Sequence, residues 1–154
     1  MMKTNGYTLI EALISIAILS FILMGVYGVL ATGNTVITND NAILEMQQQA
    51  RNAMDRIVRE VRESSTQTIT VIDANSDRIT FTTPNEIGIQ YYRSGTNLVR
   101  EYPSGTTTNV ASNIAYLKFT LAGTLLKISI RADKSIYTKT MSFPLTENAR
   151  LRNE

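Results

Sequence analysis

The chain contains neither cysteine nor histidine among its 154 residues. Without cysteine there is no disulfide framework and no thiolate metal site; without histidine, the usual general base and imidazole ligand are missing. Much of ordinary enzyme chemistry is thereby excluded. The lack of disulfides does not place the chain in the cytoplasm, because a protein packed against partners gains stability by mass action instead. A charge excess is also lacking. Fifteen basic residues face thirteen acidic ones, a net +2 too even to name nucleic acid or an acidic substrate as a partner. The length suits one domain with a modest core.

What is present is unevenly spread. From Tyr7 to Ala31 the sequence is almost wholly apolar, and Glu11 is its only charged residue. A bilayer core needs roughly 20 apolar helical residues, so this run is long enough to span one. Lys3 precedes it and no further basic residue occurs before Arg51. That asymmetry places the N-terminal end in the cytoplasm and sends everything after the helix outward. The run exceeds the apolar region of about 7 to 15 residues in a secretory signal, although Val29 and Ala31 would suit ordinary signal peptidase, giving a chain that starts at Thr32.

Glu11 is the residue a plain anchor leaves unexplained. An acid deep in a membrane helix costs about 2.5 to 3.5 kcal/mol on insertion scales, so it calls for a partner or a special use. The plainer alternative is that its carboxyl reaches the headgroups or is protonated, near the favourable positive end of the helix dipole.

The segment Gly6-Tyr7-Thr8-Leu9-Ile10-Glu11 follows a short leader containing Lys3 and precedes the unbroken apolar run. It resembles the prepilin cleavage and methylation signal of type IV pilins and type II secretion pseudopilins. The resemblance implies a leader of residues 1–6 cut after Gly6, an N-methylated Tyr7 as the new first residue, and Glu11 as the fifth-position acid of the mature chain. The family most often has phenylalanine where Tyr7 stands. The charge logic is simple: cutting exposes an amino cation at the end of an apolar helix, and Glu11 of a neighbouring subunit neutralises it. A subunit out of register would leave one ion buried and unpaired, at a cost of several kcal/mol.

Beyond the apolar run, Gly25, Gly28 and Gly33 lead to the expectation that the helix loosens around residues 28–33, since each glycine costs about 1 kcal/mol in a helix. Ile43, Ala50, Met54, Ile57 and Val61 then recur at three- and four-residue steps, with Gln47 in one slot, predicting an amphipathic helix to about Glu63. On its other face Asp55 and Arg59, Arg56 and Glu60, and Arg59 and Glu63 stand four apart, as on a solvated surface. Alternation predicts strands near Thr68–Asp73, Arg78–Thr82, Ile87–Tyr92, Leu98–Tyr102, Tyr116–Leu121, Leu125–Arg131 and Ile136–Phe143. The pieces 73–77, 93–97 and 122–124 are short enough to close antiparallel hairpins. The expected fold is α+β: a transmembrane or filament-core helix over 7–31, its amphipathic continuation over 32–64, and an antiparallel sheet over 65–154. It agrees with the pilin architecture that the resemblance implies.

Other features are weighed against commoner meanings. Asp73, Asn75 and Asp77 begin like a calcium loop, but Arg78 fills its glycine position and Pro84 stands where the bidentate acid belongs, which favours a plain turn. Tyr91, Tyr92 and Tyr102 read as cross-strand packing before an adhesive surface. After Tyr116, Lys118, Lys127, Arg131, Lys134, Lys139, Arg150 and Arg152 outnumber Asp133, Glu147 and Glu154. A solvated edge is the common meaning, and DNA capture, as by competence pili, is the rarer one. No cofactor or metal site is expected.

The stretch from Gln47 to Arg62 looks like the second half of the helix in J-type pseudopilins and W-type minor pilins, and Arg150-Leu151-Arg152-Asn153 is similar to minor-pilin endings. The resemblance implies a minor, tip-proximal subunit that primes assembly, resident in the cytoplasmic membrane with an exported head and then part of a pilus or periplasmic pseudopilus. Its partners would be other pilin or pseudopilin subunits, prepilin peptidase with its N-methyltransferase, membrane lipid before assembly, and an inner-membrane assembly platform driven by an ATPase. Major and competence-type pilins stay open. The rival from another class is a single-pass protein with an exported β-rich binding module, which would keep its leader and tolerate Glu11→Ala. A secreted enzyme ranks third, for want of any nucleophile and base arrangement.

Overall fold

The computed structural model describes residues 8–72, 75–136 and 139–152. Its first element is the helix α1, Leu9–Arg62. Residues up to Asn41 and residues from Ala42 onward form two compact units, so the two parts of the helix are taken in turn.

In the first unit the helix runs without interruption through Gly25, Gly28 and Gly33, and the loosening expected there is absent. Leucine, isoleucine and alanine around the glycines hold helical backbone, and no proline removes a hydrogen bond. The hydroxyls along this stretch turn inward on the helix itself. Ser15 donates to the Glu11 carbonyl (2.8 Å), Ser20 to Ile16 (2.8 Å), Thr32 to Gly28 (3.0 Å), Thr35 to Ala31 (2.9 Å) and Thr38 to Asn34 (2.9 Å). These five hydroxyls are thus satisfied within the helix, as hydrocarbon surroundings demand.

In the second unit the helix buries Met46, Ala50, Ala53, Met54, Ile57, Val58 and Val61. This is the expected stripe, with Ile43 packed at its margin. Eight strands follow: β1 Thr70–Ile72, β2 Arg78–Phe81, β3 Ile89–Ser94, β4 Asn97–Glu101, β5 Thr107–Ala111, β6 Ile114–Ala122, β7 Leu125–Ile136 and β8 Lys139–Arg150. All neighbours pair antiparallel, but in two sheets, β1-β2-β3-β4-β5 and β6-β7-β8. Phe81, Ile89, Tyr91 and Leu98 from the first sheet and Phe119, Leu126, Ile128 and Ile130 from the second share one core with the helix stripe. The fold is α+β, with one long, partly apolar N-terminal helix packed through its later turns on antiparallel sheet, as in pilin-like architecture.

Several strand boundaries differ from the sequence expectation. β3 starts at Ile89, because Gly88 holds φ +77° and the Thr83 to Glu86 turn is closed by Thr83 N–H on the Glu86 carbonyl (2.9 Å), leaving Ile87 82% exposed. β5 is an additional strand: Thr107, Thr108 and Asn109 show no apolar alternation, yet the edge of β4 accepts them. The strand expected over Ile136–Phe143 is shared between two strands: Ile136 ends β7 and pairs with Lys139, where β8 begins and runs on through Phe143. Hairpins close as expected at 93–97 and 122–124, where Gly95 and Gly123 take φ +61° and +60°, a conformation open to glycine at no steric cost. Asp73 of the calcium-like piece lies outside the described residues.

On the helix face expected to be solvated, Asp55, Arg59 and Glu63 are exposed, but the Arg56 and Glu60 pair is more deeply engaged. Arg56 Nε and Glu60 Oε1 pair at 3.1 Å, but the other Glu60 oxygen accepts from Arg100 Nε of β4 at 3.0 Å. Arg100 is itself 8% exposed and also pairs with Glu86. One guanidinium thus ties helix, sheet and the 83–88 turn together.

Candidate functional site

Of the three residues picked out for processing and assembly, Gly6 and Tyr7 lie outside the described residues, and Glu11 sits in the first turn of α1. Its surroundings explain how the helix begins. Thr8 precedes the helix, and its hydroxyl accepts from the Glu11 N–H at 3.3 Å. In return the Glu11 carboxylate accepts from the Thr8 N–H and from the Thr8 hydroxyl, both at 3.1 Å. This is a capping box: Thr8 satisfies an otherwise orphaned helix donor, and the acid three residues on reaches back to the N–H before the helix. The carboxylate also lies at the positive end of the helix dipole. Sequence reasoning singled out Glu11 but missed Thr8, although Thr-x-x-Glu before an apolar run is a readable helix-start signal.

Past the cap the helix surface is apolar and uncovered. Leu9 is 81% exposed, Phe21 75% and Leu30 66%, and an 18-residue window of mean hydropathy 2.5 has none of its residues buried. An exposed apolar surface this large marks a membrane or protein contact, and by length and composition the helix can cross a bilayer.

The tyrosines are occupied in packing. Tyr91 is fully buried and stacks on Phe81 with ring centroids 6.1 Å apart. Burial, with the Glu60 charge beside it, pushes its phenol well above the ordinary range. Tyr92 lies under the Arg78 guanidinium at 4.4 Å and donates to Glu101 at 3.2 Å; its phenol too is raised, by desolvation and then by that hydrogen bond. Tyr102 stacks under Arg100 at 5.5 Å. Among the described residues no three or more Asp, Glu, His or Cys side chains lie together as a metal site. A polar cleft lined by Arg56, Glu60, Glu63, Thr83, Asn85, Glu86 and Arg100 holds the ion pairs of Arg56 and Arg100 with Glu60 and Glu86.

Comparison with known proteins bears on the N-terminal end. Residues 1–27 match the family described as the prokaryotic N-terminal methylation motif. No curated protein matches the chain. The motif implies contact with a prepilin peptidase and methyltransferase system, and the apolar helix is of the kind that anchors inner-membrane pilins. A prepilin-type methylation motif joined to a helix-and-sheet module is consistent with the type IV pilin and pseudopilin superfamily.

Proposed function

We propose that the chain is a structural subunit, a minor pilin or pseudopilin most like the W-type and J-type members, assembled into a type IV pilus-like filament through α1. The observation that carries this reading is the position of Glu11: inside the methylation motif, in the first helical turn, directly before an exposed apolar helix surface. In the proposed organisation residues 1–6 are a leader removed after Gly6, 7–31 the membrane and filament-core helix, 32–64 its amphipathic continuation and 65–154 the exported head.

The mechanism follows from charge and exposure. In the membrane, lipid covers the apolar helix; in a filament, the helices of neighbouring subunits replace lipid. Cleavage creates an amino cation at Tyr7, and the Glu11 carboxylate of an adjoining subunit pairs with it in low-dielectric surroundings. A correctly staggered neighbour satisfies both ions, whereas a slipped one leaves an uncompensated charge at a cost of several kcal/mol, so the pair sets register more than strength. An uncut leader has no amine at Tyr7 and brings Lys3 into the packed end, so processing licenses assembly.

The test is the intact mass and N-terminal sequence of the protein recovered from its native host's membranes. The expected chain starts at a methylated Tyr7. A start at Met1 would favour a simple anchor carrying a binding module, and a start at Thr32 would mean ordinary secretion. Gly6→Ala is expected to leave the leader uncut, and Glu11→Ala to be cut but poorly incorporated; normal incorporation of both would sink the scheme.

A further inference from the structure

Where acids and bases come together on the head, they pair. Among the described residues the ion pairs join Arg56, Arg100 and Arg131 to Glu60, Glu86 and Asp133. One cleft breaks that pattern. Between the turn before β2, the end of β3 and strand β6 lies a space of about 340 Å³ whose walls carry Asp77, Arg93, Tyr116 and Lys118. The acid stands on one wall and the two bases on the others, yet no ion pair joins Asp77 to either base. The volume lies at the lower end of the roughly 300 to 1,000 Å³ of small-ligand sites.

The walls are held by contacts that leave their charges unused. Ser76, next to Asp77, takes φ +56°, a left-handed conformation that serine seldom adopts, and its carbonyl accepts from the Phe119 N–H of β6 at 2.7 Å. That bond pins the turn beside β6 with Asp77 half-buried. Arg93 donates from one Nη to the Gly95 carbonyl at 2.8 Å, which fixes the guanidinium by one of its five N–H groups and leaves the others to point elsewhere. Tyr116 and Lys118 stand two residues apart on one face of β6, the lysine exposed and the ring 42% exposed. The cleft therefore presents an acceptor, two cationic donors and an aromatic surface on a fixed frame.

We propose that this cleft binds a small zwitterion, a ligand with an ammonium and a carboxylate on one short frame, as in a free amino acid or a dipeptide. Asp77 takes the ammonium, Arg93 and Lys118 take the carboxylate, and Tyr116 covers the apolar part between them. Charge-assisted bonds are the strong ones, and opposite charges fixed on different walls select a ligand whose own charges come in the matching order. A simple anion, a phosphate chain included, is opposed by Asp77, and a simple cation by the two bases. An uncharged ligand would leave all three charges unused. The inference stands apart from filament assembly, since it concerns the head alone.

The experiment is isothermal titration calorimetry of the full chain in a nonionic detergent with four ligands. These are alanyl-valine, free valine, N-acetyl-alanyl-valine, which has no ammonium, and alanyl-valine amide, which has no carboxylate. The zwitterionic dipeptide should bind, and each blocked form should bind about tenfold more weakly, as expected for losing one hydrogen bond to a charged group. Asp77→Asn should no longer distinguish the dipeptide from its acetylated form while still rejecting the amide, and Arg93→Gln with Lys118→Gln should do the reverse. Tyr116→Ala should weaken all four ligands alike. The comparison of ligands on the parent chain needs no variant to fold, and thermal melting checks each variant used. Free valine bound as tightly as the dipeptide would name amino acids as the source of this chemistry, and tighter binding of the dipeptide would name peptides. No binding of either zwitterion at millimolar concentration, equal binding of the blocked forms, or a folded Asp77→Asn variant that still prefers the free ammonium would each overturn the proposal.

Discussion

In the free chain the Glu11 carboxylate is already occupied, held by the Thr8 N–H and hydroxyl at 3.1 Å each. Capping and the proposed role in register therefore make different demands on one side chain. A neutral amide completes a capping box as well as an acid does, but it cannot neutralise an amino cation. Glu11→Gln is thus expected to keep the helix start and the processing of the leader while losing incorporation into filaments, scored by the fraction of subunit in sheared material. Incorporation at the parental level would reduce Glu11 to a cap. Glu11 was legible from sequence because an acid in an apolar run is costly, whereas Thr8 looked like one more small residue until its geometry was seen. Less legible still was Glu60, whose spacing from Arg56 reads as a surface pair, because the deciding partner, Arg100, is forty residues away in sequence. With the two side chains only 18% and 10% exposed, Glu60→Ala should cost about 2 to 3 kcal/mol in urea unfolding, somewhat less than the 3 to 5 of a fully buried pair. Tyr91 supplies a pH test. Burial raises its phenol above the ordinary 10.0, so above that pH the unfolded chain releases a proton that the folded chain retains. Stability should be unaffected by this group below pH 10 and fall above it, by up to about 1.4 kcal/mol per pH unit. Tyr91→Phe should remove that portion of the alkaline slope, while the contribution of Tyr92, raised in the same direction, remains.

At the scale of elements, the sequence was readable wherever one face is buried and the other wet. The helix stripe from Met46 to Val61 and the alternation along β7 follow from that rule, and glycine at positive φ marks the hairpin turns. It failed where pairing alone makes the strand. Thr107–Ala111 has little apolar content and joins the sheet because the edge of β4 offers it hydrogen bonds. The division into two sheets was equally hidden, since no local pattern records which hairpins will fail to pair with each other. β8 carries a further consequence of register. Two-residue connections pair Ala122 with Leu125 and Ile136 with Lys139, and Leu151 N–H donates to the Thr124 carbonyl at 2.8 Å. Hydrogen-bonded rows therefore fall on the even-numbered residues of β7, and Pro144, opposite Arg131, lies in a row that bonds outward. Its ring nitrogen faces the open edge of the sheet and removes a donor from the middle of a strand otherwise free to recruit another chain. Pro144→Thr is expected to change stability by no more than about 1 kcal/mol yet to increase self-association, followed by light scattering at fixed protein concentration. Equal scattering from parent and variant would show that the edge is guarded by something else.

The whole molecule is divided by what covers its apolar surface. The buried apolar side chains between Met46 and Leu151 meet one another in a single core, whereas the large apolar side chains from Leu9 to Leu30 are exposed. The first part gains its burial by folding; in the proposed function the second gains it from lipid or another subunit, which would make the membrane or the filament part of its thermodynamic state. This asymmetry was legible in the sequence from the apolar run alone, before any strand was placed. It yields a clean expectation for truncation, because every core residue lies in the unit that begins at Ala42. A chain started at Ala42 should be monomeric in water without detergent, unfold cooperatively in urea, and show the same alkaline loss governed by Tyr91. The full chain should require detergent or lipid to stay dispersed, yet unfold its head at the same urea midpoint. If the shortened chain instead lacked a cooperative transition, the earlier turns of α1 would be supporting the core as well as anchoring it. The anchor could then not be exchanged between lipid and filament without disturbing the head, and assembly through the helix alone would have to be given up.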